Sequence, residues 1–356
     1  MEVSAFDFEL PEELIAQEPS ERRGDSRLMV LDRGSGAIEH TTFAAIGDFL
    51  RAGDLLVMND TRVFPARLLG QRVPTGGAVE CLLLERVPET SPAVERTQTW
   101  QALMHPGQKL KPGARVIFER ENVALNGEVI DRHYFGRRTI RLWTNGDAGV
   151  TETIDRIGHI PLPPYIKRDD RPSDRDRYQT VYARTRGSIA APTAGLHFTP
   201  DLLDALAARG IDRAFVTLHV GYGTFKPVRT ETVEAHIVDA ETLTVPPTTA
   251  DAVTRARDEQ RRVIAVGTTT VRALESLTRD PAGRVQPASG ETRLFIHPGH
   301  EFRVVTGLVT NFHLPKSSLL MLVCAFAGRD VVLEAYRAAV EMRYRFYSYG
   351  DAMLVV

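Results

Sequence analysis

The amino-acid sequence predicts an α+β protein, in which a mixed α/β main domain carries an inserted, small antiparallel β-barrel. Helical and strand patterns alternate near the start of the chain and again after about residue 165, which is typical of helices layered on a sheet. From residue 67 to residue 150 the chain instead shows six short β-type runs separated by Gly and Pro, with no helical period. Consecutive short strands without helices indicate a small barrel or sandwich.

The length and the pattern breaks predict the domain limits. At 356 residues the chain has room for about two domains. We expect residues 1–66 and 151–356 to form the main domain and residues 67–150 to form the inserted barrel. These limits follow the end of a strand near Asn59 and the proline cluster PLPPY at 161–165.

Before the barrel, local signals predict the elements one after another. We expect a short opening strand, a helix that begins after Pro11, a loop over 19–24 and a strand over 27–32. A helix near 43–50 and a strand over 54–58 follow. This strand leads directly into a polar cluster consisting of Asn59, Asp60, Thr61 and Arg62. Loops at strand ends are where binding residues tend to lie.

After the barrel, helical patterns alternate with strand patterns. DLLDALAARG precedes the strand AFVTLHVG, and DAVTRARDEQ precedes the strand RRVIAVG, which VRALESL follows. The apolar run over 319–327 is about half as long as the roughly 20 residues that span a bilayer, so we expect a buried helix there. Residues 279–290 are rich in Pro, Gly and Ser, which predicts a loop.

Composition and charge restrict the function classes. A net charge of −2 and a pI of about 6.6 give the whole protein no general attraction for nucleic acid. The two cysteines, Cys81 and Cys324, form no CxxC pair, which favours a reducing compartment and disfavours structural zinc. The acidic opening residues do not resemble a signal peptide. We therefore expect a cytoplasmic monomer that does not enter a membrane.

A glycine-threonine turn is a candidate anion site. In RRVIAVGTTTVRALESL, Gly267, Thr268, Thr269 and Thr270 stand between a strand and a helix. The free N–H groups and positive dipole of such a helix start suit a carboxylate or a phosphate. On the residues alone, however, the favoured interpretation is that the threonines cap the helix.

A second glycine turn lies in LHVGYGTFKPV. Gly221 and Gly223, followed by Thr224, would let the backbone approach a ligand closely. A dinucleotide-binding fingerprint would need a third glycine where Lys226 stands, so a Rossmann assignment fails. A simple turn or bulge is the favoured interpretation of this segment taken alone.

The segment EAHIVDAET contains a compact polar group, His236, Asp239 and Glu241. A histidine beside carboxylates suits general acid or base chemistry near neutral pH. A metal site is disfavoured here and at HPGH, because the chain has no HExxH motif and no third ligand at a diagnostic spacing. We expect no metal and no permanently bound cofactor.

Two segments are candidates for RNA contact. Residues 167–186 hold seven basic and four acidic residues, among them Arg168, Arg175 and Arg177, although a solvated and mutually paired loop is the favoured interpretation. The C-terminal YRFYSYGDAMLVV combines arginine with aromatic side chains, including Arg345 and Tyr347. Such side chains can stack on bases and hold phosphates, or form a final strand packed in the core.

Long stretches of the chain resemble one family. They are FDFELPEELIAQEP, LLVMNDTRVFPARL, DRYQTVYARTRGSIAAPTAGLHFT, LHVGYGTFKPV, VGTTTVRALES, TNFHLPKSSLLMLVCAFAG and YRFYSYGDAML. In this order, and over nearly the whole chain, they are similar to the S-adenosylmethionine:tRNA ribosyltransferase-isomerases. The resemblance implies a mixed α/β domain with an inserted β-barrel, in agreement with the fold class above.

The resemblance also implies an enzyme of queuosine biosynthesis with S-adenosyl-L-methionine as co-substrate. Such an enzyme moves and isomerises its ribosyl group onto 7-aminomethyl-7-deazaguanine at the wobble position of tRNA. The products are epoxyqueuosine in tRNA, adenine and methionine. We expect substrate binding by the polar cluster, by both glycine turns and by six further residues of the matching segments: Thr193, Gly195, His197, Asn311, His313 and Lys316.

This reaction needs a base for the ribose carbon next to sulfur, an acid for the departing adenine, and an acceptor for the proton of the attacking amine. The candidates, not assigned individually, are His219, His236, Glu241 and Asp351. Many relatives have histidine where Asp239 stands. An aspartate accepts a proton but is a poor acid at neutral pH unless its pKa is raised.

Two other function classes fit less well. An S-adenosylmethionine-dependent RNA methyltransferase predicts a GxGxG-type loop after the first strand, and the sequence has none. A non-catalytic RNA-binding protein predicts a stronger excess of basic residues and no clustered histidines.

Overall fold

The structure of the protein is a computed structural model. It describes residues 1–88, 96–225 and 228–356, without the side chains of Thr224 and Phe225. The predicted contact of Thr224 and the glycine position taken by Lys226 thus lie outside the described part. The chain divides into two compact units. The first consists of Met1–Arg62, Pro164–Arg168 and Asp176–Val356, and the second of Val63–Pro163 and Asp169–Arg175. The domain limits drawn from the sequence stay a prediction.

The described residues form seventeen strands, seven α-helices and several short 3-10 helices. The strands are β1 Arg27–Leu31, β2 Ile38–Thr42, β3 Leu55–Asn59, β4 Thr61–Val63, β5 Arg67–Val73, β6 Ala78–Arg86, β7 Thr97–His105, β8 Arg115–Arg120, β9 Val123–Arg132, β10 Arg137–Trp143, β11 Thr185–Ser188, β12 Asp212–Leu218, β13 Glu241–Val245, β14 Val263–Val266, β15 Ala288–Thr292, β16 Gly307–Asn311 and β17 Ala352–Val355. The helices are α1 Val150–Ile157, α2 Asp174–Arg177, α3 Pro200–Ala208, α4 Pro247–Asp258, α5 Thr268–Glu275, α6 Ser318–Ala327 and α7 Arg329–Glu341.

A mixed sheet of nine strands organises the first unit, in the order β15-β13-β12-β3-β14-β16-β17-β1-β2. Strands β12, β3, β14 and β16 are parallel to one another, whereas β17 runs antiparallel to β16 and parallel to β1. The carboxyl ends of four strands and the amino ends of β17 and β1 therefore meet at one edge of the sheet. The other short pair, β4 and β11, forms a separate two-stranded sheet.

Alternating side chains of the central strands enter two cores. Every residue of β3 is buried, as expected for a parallel strand covered on both faces. Leu55 and Val57 pack in one cluster with residues of α4, α5 and α6, and Leu56 and Met58 pack in the other with residues of α3. The predicted buried helix over 319–327 is confirmed as α6, whose apolar residues belong to the first cluster.

The barrel of the second unit is closed and antiparallel, in the order β10-β7-β6-β5-β8-β9. Its interior is formed by alternate residues, as in β7, where every second side chain is buried. The six β-type runs of the sequence correspond to β5 to β10. The α+β class with an antiparallel barrel is confirmed.

Several expected elements differ in the structure. Where the opening strand was expected, residues 7–11 have no regular secondary structure and follow a 3-10 helix, Val3–Phe6; the helix expected after Pro11 is only a 3-10 turn, Glu12–Leu14. Backbone pairing explains the short turn, because Ala16 donates to the carbonyl of Phe346 and Phe346 donates to the carbonyl of Leu14. The helix expected near 43–50 is a 3-10 helix, Phe43–Phe49, and the loop expected over 279–290 ends in β15.

Several elements were not expected from the sequence: β2, β4, β11, β13, β16, α1, α2 and α7. In the described part of the chain, no helix has the length and apolar character needed to cross a membrane.

Candidate active site

The strand edge described above gathers the polar segments found in the sequence. Strand β3 ends at Asn59, β12 is followed by His219, β14 is followed by Gly267, and β16 ends at Asn311. Loops after parallel strands at such an edge are the usual place for ligands in α/β sheets. Segments up to about 250 residues apart in sequence are thus brought together by the strand directions alone.

Asn59 joins three of these segments. Its side chain is fully buried. Its Nδ2 donates to the carbonyl of Leu218 at 2.9 Å and to Thr269 Oγ1 at 3.4 Å, while its Oδ1 accepts from the Leu218 N–H at 3.0 Å. Oδ1 also accepts from the N–H of Thr61 at 3.2 Å. With these hydrogen bonds, Asn59 holds the ends of β3 and β12 beside the start of α5.

A second network positions His219. Thr61 Oγ1 lies 2.7 Å from His219 Nδ1. Asp60 accepts from Thr217 Oγ1 at 2.6 Å and from Arg184 Nη2 at 3.0 Å. Burial lowers the pKa of His219, and the nearby Asp60 carboxylate partly opposes this shift. The ring is therefore mostly neutral at pH 7, which is the form that accepts a proton.

The first cavity, which we call the strand-edge cavity, lies at this edge and holds about 60 Å³ of free space, which is less than the usual volume of a small-molecule site. It is lined by Tyr165, Ala190, Ala191, Pro192, Thr193, Ala194, Val220, Gly267, Thr268, Thr269, Thr310, Asn311, His313, Leu319, Tyr347 and Ser348. Its wall includes the first residues of α5.

Asn311 leaves one acceptor unused in this cavity. Its Nδ2 donates to His197 Nε2 at 3.1 Å and to the carbonyl of Tyr347 at 3.3 Å. Asn311 Oδ1 is buried, and no donor among the described residues reaches it. A buried polar atom without a partner is costly. A ligand N–H in the strand-edge cavity would satisfy it.

Two buried histidines support the same wall. His197 Nδ1 lies 2.5 Å from Ser26 Oγ, and His313 Nε2 lies 2.8 Å from Thr310 Oγ1. Burial lowers the pKa of His197 to about 4 and that of His313 to about 3. Both rings are neutral at physiological pH, so they act there as hydrogen-bonding groups without charge.

A second cavity of about 60 Å³, which we call the carboxylate cavity, shares Leu319 with the first. It is lined by Gly223, His236, Ile237, Val238, Asp239, Glu241, Arg272, Leu294, Phe295, Ile296, Ser318, Leu319 and Leu322. Helix α5 serves both cavities, because its first residues line the strand-edge cavity and Arg272 lines the carboxylate cavity.

A buried ion pair stands at the centre of the carboxylate cavity. Glu241 is 5% exposed and Arg272 is 8% exposed. Glu241 Oε2 accepts from Arg272 Nη1, and Oε1 accepts from the N–H of Gly221 at 3.1 Å. Arg272 Nε donates to the carbonyl of Leu294 at 2.8 Å. Its Nη2 is buried, and among the described residues it has no hydrogen-bond partner, so it can donate to a ligand.

His236 and Asp239 complete the polar part of this cavity. His236 is half-buried and packs edge-on against Phe295. Burial lowers the pKa of His236, and Asp239 opposes the shift. Gly223 gives the Asp239 carboxylate room, because a Cβ at 223 would lie 2.7 Å from Asp239 Oδ2. The result is a neutral histidine beside an acidic side chain.

Comparison with known proteins identifies the family. A family model described as a queuosine biosynthesis protein matches residues 3–355. The S-adenosylmethionine:tRNA ribosyltransferase-isomerase of Caldanaerobacter subterraneus subsp. tengcongensis is 49% identical over 356 residues, with 100% of both chains covered. The chain belongs to the queuosine biosynthesis family.

Two further members show the same full-length similarity. The S-adenosylmethionine:tRNA ribosyltransferase-isomerase of Acetivibrio thermocellus is 50% identical over 355 residues and covers 100% of both chains. The crystal structure of S-adenosylmethionine tRNA ribosyltransferase from Thermotoga maritima has a TM-score of 0.55 at 39% identity, covering 99% of this chain and 100% of that chain. The family resemblance noted in the sequence is thereby confirmed.

Within the queuosine biosynthesis family fold, ten of the 26 expected site residues line the two cavities. Those in the strand-edge cavity are Thr193, Gly267, Thr268, Thr269, Asn311, His313 and Tyr347, and those in the carboxylate cavity are Gly223, His236 and Glu241. Asn59, His219, Gly221 and His197 contact lining residues or stand next to them in the chain, and Thr61 contacts His219. Their roles in binding stay predictions.

The remaining expected binding residues are engaged elsewhere. Lys316 Nζ forms an ion pair with Asp7 at 2.6 Å. Thr270 Oγ1 donates to the carbonyl of Val266 at 2.7 Å. The N-cap residue of α5 is Gly267 and no side chain caps this helix start, so the capping interpretation of the threonines is wrong. Gly195 is needed for packing, because a Cβ there would lie 2.0 Å from Tyr182 Oη. Arg62, the last residue of the polar cluster, is exposed on β4.

Asp351, an expected proton-transfer residue, lies just before β17 and is almost completely buried. Its Oδ1 accepts from the Arg27 N–H at 3.0 Å, and its Oδ2 accepts from Arg27 Nη2 at 3.1 Å and from the Arg345 N–H at 2.8 Å. These contacts indicate that Asp351 holds the Arg345 backbone against β1, three residues before the lining residue Ser348.

The arginines expected to bind tRNA make local contacts in the structure. Arg168 Nε lies 3.2 Å from Glu18 Oε1. Arg175 donates to the carbonyls of Asp155 and Gly158, and Arg177 donates to the carbonyls of Ser20 and Glu21. Tyr347, in contrast, lines the strand-edge cavity. Its ring centroid lies 3.8 Å from that of Tyr165, which lines the same cavity.

Arg272, which lines the carboxylate cavity, was not predicted from the sequence as a site residue. The signal that could have revealed it is a single arginine between the apolar residues Val271 and Ala273 of VRALESL, because an arginine buried in a helix face requires an anionic or carbonyl partner. Among the described residues, no group of three or more His, Cys, Asp or Glu side chains is arranged to hold a metal ion.

Proposed function

We propose that the chain is an S-adenosylmethionine:tRNA ribosyltransferase-isomerase. It transfers and isomerises the ribosyl group of S-adenosyl-L-methionine onto 7-aminomethyl-7-deazaguanine at the wobble position of tRNA. Epoxyqueuosine-tRNA, adenine and methionine are the products. Full-length relatives of this name, at 49% and 50% identity, support the reaction.

One observation in the structure supports where the co-substrate binds. The strand-edge cavity has an unused buried acceptor, Asn311 Oδ1, and the carboxylate cavity has an unused buried donor, Arg272 Nη2. S-adenosylmethionine carries an amine donor on its adenine and a carboxylate acceptor on its methionine. We therefore place adenine against Asn311 and the carboxylate against Arg272, so that the sulfonium and the ribose lie between them.

This placement gives His236 and Glu241 distinct roles. The ribose carbon next to sulfur becomes acidic because of the sulfonium charge, and the neutral His236 accepts its proton. Asp239 then stabilises the imidazolium. Glu241, held in an ion pair by Arg272, stabilises positive charge on sulfur and on the ribose as adenine leaves. His219, held by Thr61, accepts the proton of the attacking amine.

The tRNA approaches the cavity at Tyr347. Tyr347 and Tyr165 lie in the wall of the strand-edge cavity with their ring planes tilted by 40° to each other, and aromatic rings stack readily on bases that have left a helix. Arg345, Arg168, Arg175 and Arg177 supply positive charge for the phosphates. We further propose that the protein works as a monomer in the cytoplasm, without a metal or a permanently bound cofactor.

Product analysis tests the proposed function. The protein is incubated with S-adenosylmethionine and with tRNA that carries 7-aminomethyl-7-deazaguanine, in the presence of EDTA. We expect adenine and methionine in equal amounts, each dependent on the modified base. S-adenosylhomocysteine as the product would instead identify a methyltransferase, and the lack of any turnover would leave only binding.

A further inference from the structure

The tip of the β9–β10 hairpin in the barrel carries two aromatic side chains in solvent. Tyr134 is 87% exposed and Phe135 is 98% exposed. No other aromatic side chain that the structure describes belongs to the exposed large hydrophobic residues. Burying such rings is favourable, so two fully exposed neighbours need an explanation beyond the stability of the barrel. We call the tip, residues 132–137, together with the facing turn over 105–109, the hairpin-tip surface.

The backbone holds these rings outward at an energetic cost. Phe135 has φ 55° and ψ 37°, and Gly136 has φ 82°. The left-handed conformation is unfavourable for a bulky residue such as Phe135 and persists only where neighbouring interactions fix it. His133 provides such interactions, because its N–H donates to the carbonyl of Arg137 at 2.9 Å and its Nε2 lies 2.9 Å from Thr139 Oγ1.

Arg138 joins the hairpin to the facing turn. Its side chain is 1% exposed. Nε donates to the carbonyl of Leu110 at 2.8 Å, Nη1 donates to the carbonyl of Arg137 at 2.7 Å, and Nη2 donates to the carbonyl of Gly107. Among the described residues, no carboxylate forms an ion pair with Arg138. Burying a cation in this way is costly, and burial together with Arg132 lowers its pKa.

The resulting surface is concave and basic. The open space between the turn and the tip measures about 1090 Å³ and is bordered by His105, Arg132, Tyr134 and Phe135. Residues 105–111 and 131–138 contain five lysines and arginines but only one acidic residue, Asp131. Lys109, Lys111, Arg132 and Arg137 are exposed. Such a surface attracts a polyanion.

Exposed aromatic rings beside basic side chains are the combination that binds unpaired nucleotides, because the rings stack on bases while the cations contact phosphates. We propose that the hairpin-tip surface binds the tRNA substrate, with Tyr134 and Phe135 stacked on unpaired bases and with Arg132 and Lys109 at the phosphates. This inference rests on the proposed function, which makes tRNA the polyanion that the protein meets. The excess of positive charge on the hairpin-tip surface favours RNA, which is a polyanion, over a second copy of this chain, which carries a net charge of only −2.

The experiment compares four full-length variants with the wild-type protein. Fluorescence anisotropy measures the Kd for an unmodified tRNA transcript at fixed salt, and steady-state kinetics measures the KM for modified tRNA, the KM for S-adenosylmethionine and kcat. The double variant Tyr134→Ala/Phe135→Ala removes both rings, Arg132→Glu reverses one charge, and Phe135→Tyr keeps a stacking ring. Leu69→Ala is the matched control, because Leu69 is 41% exposed on β5, three strands away from β10 in either direction around the barrel.

We expect the double variant to raise the tRNA Kd and the tRNA KM about ten- to a hundredfold, since stacking on a single base contributes an effect of this size. Its kcat and its KM for S-adenosylmethionine should stay at the wild-type values. Arg132→Glu should raise the tRNA Kd and flatten its dependence on salt. Phe135→Tyr and Leu69→Ala should bind tRNA as the wild type does.

Two results would overturn the inference. One is a double variant that binds tRNA with wild-type affinity. The other is a wild-type dimer in sedimentation that the double variant abolishes while tRNA affinity is unchanged, which would assign the surface to a second copy. Failure of the proposed function is recognised separately, because the wild-type protein would then release no adenine although its tRNA Kd could still be measured.

Discussion

Substitution of Glu241 by glutamine tests the centre of the carboxylate cavity. The change keeps the size of the side chain and leaves an oxygen for the N–H of Gly221, which Glu241 Oε1 accepts at 3.1 Å. It removes the negative charge and can turn an amide N–H toward Arg272 Nη1. Arg272 is 8% exposed, so its charge loses its partner in a site with little access to water.

Two consequences of Glu241→Gln have similar magnitudes and must be measured apart. Breaking one side of a buried ion pair lowers the free energy of unfolding by about 3–5 kcal/mol. Loss of a group that stabilises charge in the transition state lowers kcat about 10²–10³-fold. A fall in activity alone would therefore not distinguish a partly unfolded enzyme from a folded enzyme without its catalytic charge.

The assay consequently measures kcat per binding-competent molecule. Equilibrium dialysis gives the stoichiometry and Kd for S-adenosylmethionine, and kcat at saturating co-substrate is divided by that stoichiometry. We expect a 10²–10³-fold loss in this ratio and a much smaller change in Kd. Thr242→Ala is the control, since Thr242 is the exposed neighbour of Glu241 on β13. A normalised kcat within about twofold of the wild-type value would refute the role of Glu241, since the predicted loss is at least about a hundredfold.

Three further substitutions extend these arguments. Arg272→Lys should raise the Kd for S-adenosylmethionine roughly tenfold or more by equilibrium dialysis, because a lysine loses the second arm of the guanidinium that would reach the carboxylate; an unchanged Kd would move the carboxylate elsewhere. His313 has its pKa lowered to about 3, so its contribution to the free energy of unfolding is complete above pH 6.5 and is lost as the pH falls toward 3. In urea titrations at several pH values, His313→Gln should therefore reduce the slope of stability against pH by up to about 1.4 kcal/mol per unit, and an equal slope would contradict the burial argument. Gly195→Ala should lower the thermal midpoint of unfolding, because its Cβ would lie 2.0 Å from the Tyr182 hydroxyl. Gly146→Ala, whose Cβ would have no atom within 4 Å, should leave the midpoint unchanged. Equal midpoints for the two variants would show that the packing around Gly195 relaxes to accept a methyl group.

The sequence predicted the barrel because six short β-type runs lie between Gly and Pro and show no helical period. The burial of every second residue in TQTWQALMH is not visible in the sequence alone, since the polar Gln98 is buried and Leu103 is only partly buried. The helix predicted after Pro11 did not form. Leu14 and Ala16 exchange backbone hydrogen bonds with Phe346, more than 300 residues away, and such tertiary pairing overrides local helix propensity.

The candidate site was predictable only in part. Polar residues directly after apolar strands, such as Asn59 and Gly267, could be recognised from local sequence. The pairing of Glu241 with Arg272 could not, since it joins the start of β13 to the middle of α5 across 31 residues. The sequence also could not show that Arg175 and Arg177 donate hydrogen bonds to backbone carbonyls, because a pattern of charges does not reveal side-chain geometry.

The direction of β17 explains why the site needs the end of the chain. Since β17 is antiparallel to β16, the residues before it, Tyr347, Ser348 and Asp351, reach the edge at which β16 ends with Asn311. Strand β1 is parallel to β17, so Arg27 at its start meets the Asp351 carboxylate at this same edge. A parallel β17 would place these residues at the opposite edge, away from α5. The mixed sheet is therefore what brings the tyrosine pair, the unused acceptor of Asn311 and the start of α5 around one cavity.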